Sequence, residues 1–258
     1  MENSLLALVI LISAGLYCCV CDEIKIIRAP YHVQIESNKK FMCSASIVNY
    51  KWIVTSASCI PDGMKRKDIQ VRSGTGEMSK DGGVHPIRDL YKHPEYNASK
   101  STTANNLALI QLWYHFQLSC TVYPMRFPIT RAAAEDQAIY SSWLTNSTKG
   151  AKLHSVETSV IDWTKCSQIY NNLDVNTLCL NRAESELCVD EGDPVQINGN
   201  IQGFAQQSGC QATSTPIILT DLTSYKQWIE QTINNKTKHP SGEQPPPEDP
   251  CTLRTSLY

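Results

Sequence analysis

The feature that most limits this chain is the shortness of its apolar segments. Residues 46–58 (SIVNYKWIVTSAS), 107–114 (LALIQLWY), 154–161 (HSVETSVI) and 216–220 (PIILT) are rich in β-branched and aromatic side chains. Such side chains suit a pleated, half-buried surface. Pro61-Asp62-Gly63, Asp81-Gly82-Gly83, Asn198-Gly199 and Ser208-Gly209 separate the segments with residues that tolerate reversal of the backbone. Many short strands in one stretch, with no alternating helices, predict an all-β sandwich or barrel. One segment departs from this pattern. In residues 221–234, Leu222, Tyr225, Trp228, Ile229 and Ile233 recur at helical spacing, and Asp221 can cap the start.

Residues 5–16 (LLALVILISAGL) carry no charge. The run is too short to span a bilayer comfortably and has the length of a signal-peptide core, although the preceding residues include Glu2 and no Lys or Arg. Small residues allow cleavage after Gly15 or after Cys21. Cysteine parity favours the second site. Of eleven cysteines, Cys18, Cys19 and Cys21 would be removed, leaving eight. The expected organisation is a signal peptide at 1–21, a folded domain at 22–235 and a tail at 236–258. The tail holds Pro240, Pro245, Pro246, Pro247 and Pro250 among charged residues, and is expected to be extended. Three sequons begin at Asn97, Asn146 and Asn235 and fit N-glycosylation of a secreted, extracellular protein. No later run approaches membrane length, so the mature chain is expected to lack a membrane span.

The formal net charge of -2 leaves no broad basic field, which argues against nucleic acid as a partner. The six histidines show no HExxH spacing, and no twelve-residue calcium loop is present, so no metal or other cofactor is expected. Glu184, Glu186, Asp190, Glu191 and Asp193 read as a solvated acidic surface. Core packing is the expectation for most of Trp52, Trp113, Trp143, Trp163 and Trp228.

From Cys43 onward the order of motifs is distinctive. Cys43-Ser44-Ala45-Ser46-Ile47-Val48 is followed by Trp52-Ile53-Val54-Thr55-Ser56-Ala57-Ser58-Cys59, then by Val71-Arg72-Ser73-Gly74. His93-Pro94-Glu95-Tyr96-Asn97, Asn106-Leu107-Ala108-Leu109-Ile110-Gln111-Leu112, the segment from Cys188 to Val195, and Tyr225-Lys226-Gln227-Trp228-Ile229 come next. Across residues 29–233 this series resembles the trypsin-like serine proteases. It is also similar to secreted arthropod homologues of those enzymes. The resemblance implies two antiparallel six-stranded β-barrels with a C-terminal α-helix. It also implies the disulfides Cys43–Cys59, Cys166–Cys179 and Cys188–Cys210. Cys120 and Cys251 remain and are expected to pair, the alternative being a bond from Cys251 to another chain.

The same resemblance locates a degenerate catalytic triad. Ser58 stands where the family has its histidine base, Asn106 where it has the orienting aspartate, and Glu191 where it has the nucleophilic serine. A hydroxyl is a poor base near neutral pH, and a neutral amide cannot stabilise an imidazolium. A carboxylate at the nucleophile position repels a developing oxyanion. Between Cys188 and Pro194 the chain is one residue shorter than the family, at the expense of a glycine that donates to the oxyanion. Glu186 falls at the position that sets trypsin specificity, and its ordinary reading is a solvated loop acid. The chain lacks an Ile-Val-Gly-Gly-like activation terminus. Asp190 is therefore expected to be solvated or paired other than with an N-terminal ammonium. The resulting expectation is a secreted non-peptidase that binds extracellular proteins such as a protease, inhibitor, receptor or cargo. Cofactor, decoy or carrier roles would follow. The alternatives are a weak or unorthodox hydrolase, or a disulfide-linked structural partner.

Overall fold

The structure is a computed structural model that describes residues 21–99, 103–144, 151–182, 188–207, 209, 215–236 and 251. In chain order the strands begin with β1 (Cys21–Glu23), β2 (His32–Ser37), β3 (Lys40–Asn49), β4 (Trp52–Thr55), β5 (Ile69–Ser73), β6 (Gly83–Lys92) and β7 (Ala108–Leu112). They continue with β8 (Gln137–Ser142), β9 (His154–Ile161), β10 (Thr177–Leu180), β11 (Pro194–Ile197), β12 (Asn200–Ala205) and β13 (Ile217–Asp221). Helix α1 (Trp163–Ile169) lies between β9 and β10, and α2 (Leu222–Lys236) follows β13.

Strands β2–β7 close into one barrel in the order β2-β3-β4-β7-β6-β5. The second sheet runs β9-β10-β13-β12-β11-β8, and a β8–β9 pairing closes it. Every pairing is antiparallel, and β1 pairs with the His154–Val156 end of β9. The two six-stranded barrels and the terminal helix match the architecture implied by the resemblance.

Three apolar clusters hold the molecule together. Val33, Ile35, Ala45, Ile47, Val71 and Ile110 fill the first barrel. Tyr140, Val156, Val160, Leu180, Val195 and Leu219 fill the second. Trp52, Leu109, Trp143, Phe204, Leu222 and Ile229 form the third, in which both barrels meet α2. Burying large side chains at this junction removes apolar surface from water on both partners, so the barrels are held as one body.

Helix α2 buries Leu222, Tyr225, Ile229 and Ile233, the face read from its spacing. The Asp221 carboxylate accepts the Thr223 N–H at 3.1 Å, a side-chain cap for an otherwise unpaired helix donor. The helix runs to Lys236, two residues past the expected end. Helix α1 was not expected. It is seven residues long, buries only Cys166, and is capped by Asp162, which accepts the Thr164 N–H at 2.8 Å.

Disulfides join Cys43 to Cys59, Cys166 to Cys179, and Cys120 to Cys251. Cys251 is thus bonded within its own chain. Cys188 is also disulfide-bonded. Cys210 lies outside the described residues, as do residues 1–20, Asn146, Glu186 and all of the tail beyond Lys236 except Cys251. Among the described residues, no helix is long and apolar enough to cross a membrane.

Candidate active site

The site arises at strand ends. Strands β4 and β7 are antiparallel, with Thr55 opposite Ala108. Residues just after β4 therefore meet residues just before β7, which brings Ser58 to Asn106. The Cys43–Cys59 bridge anchors the turn carrying Ser58 to β3. Glu191 arrives from the second barrel on the loop leading into β11. Its carbonyl accepts the Ser44 N–H at 2.8 Å, and the next amide, Gly192 N–H, donates to the Ala205 carbonyl at 2.8 Å. Gly192 has φ +85, and a Cβ there would fall 1.9 Å from the Ser44 carbonyl oxygen. Only glycine permits this close approach between the barrels.

Ser58, Asn106 and Glu191 are brought together and satisfy one another. The Ser58 N–H donates to Asn106 Oδ1 at 3.0 Å. Asn106 Nδ2 donates to Ser58 Oγ at 2.9 Å, and Ser58 Oγ donates to Glu191 Oε1. Burial raises the Glu191 pKa, while hydrogen bonds from Ser58, Ser56 and Asn106 oppose the rise. The Tyr96 phenol also reaches Ser58, and burial raises its pKa. Sequence reading missed Tyr96 as a site residue, although it belongs to the His93–Asn97 motif. Glu191 also lies near the sulfurs of Cys43 and Cys59. Those sulfurs are bonded to each other, so they offer no thiolate to a metal.

Beside this corner the segment before Cys210 is tied down across the molecule. Gln206 Nε2 donates to the Thr103 carbonyl at 3.0 Å, and Gln207 Nε2 donates to the Pro216 carbonyl at 3.2 Å. Thr103 Oγ1 in turn accepts the Asp174 N–H at 2.9 Å.

A second polar cluster lies behind the corner and is sealed from water. Asp190 and Asp193 are buried, which corrects the expected solvated acidic surface at these two positions. Ser44 Oγ donates to Asp193 Oδ1 at 2.6 Å, and the Asp190 N–H donates to Asp193 Oδ2 at 2.7 Å. Ser142 Oγ donates to Asp190 Oδ2 at 3.3 Å. Asp190 is therefore paired and buried, and the solvated alternative is excluded. His32 Nε2 lies 3.6 Å from Asp193 Oδ1, beyond hydrogen-bond reach. His32 Nδ1 meets Ser141 Oγ at 2.9 Å, and the ring packs 4.2 Å from the Trp143 ring. Burial holds the His32 pKa well below its ordinary value. Burial, reinforced by the charge of Asp190, holds the Asp193 pKa well above its ordinary value. None of His32, Ser44, Ser141 or Ser142 was marked by the sequence, because each finds its partner far away in the chain.

The start of the described chain is accounted for elsewhere. β1 pairs with β9, the Ile24 N–H donates to the Leu153 carbonyl at 2.9 Å, and Ile26 is buried in the junction cluster. Asn97 and Asn235 are both exposed. Trp52 and Trp143 are core residues, but Trp113 is 55% exposed and departs from the core expectation.

Comparison with known proteins agrees with this fold. Trypsin-4 of Rattus norvegicus is 30% identical over 218 residues, covering 80% of this chain and 85% of the relative. Trypsin of Sus scrofa is 29% identical over 231 residues, covering 85% and 94%. Two solved structures share the fold. One is neuropsin, a serine protease expressed in the limbic system of mouse brain, with TM-score 0.73, 22% identity and coverage of 83% and 98%. The other is a scabies mite inactivated protease paralogue, with TM-score 0.74, 21% identity and coverage of 84% and 97%. The family model described as Trypsin matches residues 21–229, and the chain belongs to the trypsin family.

Proposed function

We propose that this protein is a secreted, catalytically inactive serine protease homologue that acts by binding other extracellular proteins, as a cofactor, decoy or carrier. The observation that carries this reading is the closed cluster of Ser58, Asn106 and Glu191. Peptide-bond cleavage on this fold needs a hydroxyl whose proton passes to a base and then to the leaving amine. At these three positions no imidazole is available to carry that proton. The Glu191 carboxylate occupies the nucleophile position and opposes the negative charge of a tetrahedral intermediate. Loss of a nucleophile or base in such a site costs on the order of 10⁶ in kcat.

The disulfides suit an oxidising compartment. Signal cleavage after Cys21, glycans on Asn97, Asn146 and Asn235, and a Cys188–Cys210 bridge belong to the same proposal. The scabies mite paralogue, described as inactivated, shows that this fold persists in a protein so described.

The test pairs an activity assay with a capture experiment. Purified protein at high concentration is incubated with a mixed peptide library and with a fluorophosphonate probe. No turnover above buffer and no labelling are expected. Cross-linked material from the native fluid, read by mass spectrometry, is expected to contain a stoichiometric protein partner. Turnover that survives purification and is lost in Glu191→Gln would overturn the proposal.

A further inference from the structure

The first barrel carries a groove of about 640 Å³ that includes no residue of the Ser58–Asn106–Glu191 corner. Its floor is apolar, formed by Ile69 of β5, Val84 and Ile87 of β6, and Trp113 just past β7. Its rim is basic, formed by Lys65, Arg66, Lys67 and Arg88. Trp113 is 55% exposed and Val84 is 47% exposed, so large apolar surfaces face water here. Isolated exposed apolar residues are ordinary. A tryptophan beside a second apolar side chain in a concave, charge-rimmed groove has the composition of an interface centre.

The groove is built in advance of any ligand. The Trp113 N–H donates to the Pro86 carbonyl at 3.1 Å, which holds the tryptophan backbone against β6. The Arg88 guanidinium lies 5.5 Å from the Trp113 ring centroid. Arg66 donates to the Arg88 carbonyl at 2.7 Å and pairs with Asp89. Lys65 and Lys67 are exposed and have no ion-pair partner among the described residues. Among the described residues the groove lining thus holds four cations and no carboxylate, with Asp89 shared by Arg66 and Arg88, in a chain whose formal net charge is -2. The local sign is opposite to that of the whole molecule.

We propose that this groove docks an extended acidic segment of a partner protein. An apolar side chain of that segment packs on Trp113, and its carboxylates face Lys65, Lys67 and Arg88. Charge complementarity selects an acidic partner and speeds the encounter. The apolar floor selects a peptide over a sulfated glycan, because a polyanion would use the rim and leave the floor wet. The proposal is independent of whether the chain hydrolyses peptides.

The test uses the full chain and a fluorescein-labelled peptide that alternates Glu with Phe, read by anisotropy at two salt concentrations. A Gln-for-Glu peptide and a size-defined heparin fragment serve as comparison probes. Saturable binding of the acidic peptide is expected, weakened about ten-fold by Trp113→Ala. The Lys65→Glu/Lys67→Glu double variant should weaken it similarly and flatten its salt dependence. Both variants alter exposed side chains, and an unchanged thermal midpoint verifies their fold. Absence of saturable binding overturns the proposal, as does binding that Trp113→Ala leaves unchanged. Heparin binding that exceeds peptide binding and depends only on the lysines assigns the groove to a glycan and also overturns it. Hydrolytic activity would sink the proposed function and leave this result standing.

Discussion

The corner at Ser58, Asn106 and Glu191 and the sealed cluster at His32, Ser44, Asp190 and Asp193 share one loop but live in different solvents. At the corner, Ser58 is exposed and Glu191 is half-buried, so water can replace the hydrogen bonds that the Ser58 hydroxyl makes. Behind it, Ser44 and Asp193 are both fully buried, and a lost partner there is not replaced. The lesson is that the Glu191 position can change its chemistry at small structural cost. Two residues later, an acid requires a dedicated set of donors from both barrels.

The sharpest way to break that contrast is to truncate one carboxylate on each side. Asp193→Ala orphans the Ser44 hydroxyl and the Asp190 N–H in a dry site. A loss of roughly 3 kcal/mol in unfolding free energy is expected, since each buried unsatisfied donor costs about 1–3 kcal/mol. Chemical denaturation measures it, and Glu191→Ala should cost far less in the same assay. Equal losses for the two variants would erase the distinction.

The pH dependence sharpens the comparison further. Asp193 has a raised pKa in the fold, so by itself it makes stability fall as pH rises above the ordinary carboxylate range. His32 has a lowered pKa, so by itself it makes stability fall as pH drops below the ordinary imidazole value. Above the ordinary carboxylate range and below the ordinary imidazole value the two slopes therefore oppose each other. His32→Gln should expose the Asp193 slope, with stability falling as pH rises through this window. Asp193→Asn should expose the His32 slope, with stability rising instead. One proton per group limits each slope to at most about 1.4 kcal/mol per pH unit relative to wild type. Parallel pH–stability curves for both variants would show that the sealed pair does not behave as a unit.

The smallest effect belongs to the corner. Ser58→Ala removes the hydroxyl shared by Asn106 and Glu191, but Asn106 Oδ1 keeps the residue-58 N–H and water can reach the exposed residue 58. A change of about 1 kcal/mol or less is expected in the denaturation midpoint. A loss comparable to that of Asp193→Ala would mean that the corner is structural after all.

These same regions show what was legible in the sequence. Ser58 and Asn106 could be placed because Cys43 and Cys59 frame one segment and a long apolar strand follows the other. Helix α2 announced itself through the spacing of Leu222, Tyr225, Ile229 and Ile233. Helix α1 is too short to show a period, and only the Asp162-Thr164 cap could have marked it. Asp190 and Asp193 read as solvated because acids close in sequence ordinarily repel one another into water. Their burial depends on Ser44 and Ser142, which come from distant strands. Trp113 extends the apolar run of β7 on paper, but the strand ends at Leu112 and the next residue leaves the core.

The Cys120–Cys251 bridge has a consequence for how the chain would come apart. A protease that cut once between Lys236 and Cys251 would divide the polypeptide without releasing a fragment. The mass of the intact product would rise by one water molecule rather than fall by a peptide. Only a reductant would separate the pieces. The C-terminal end is therefore retained by two independent connections, one through the main chain and one through sulfur.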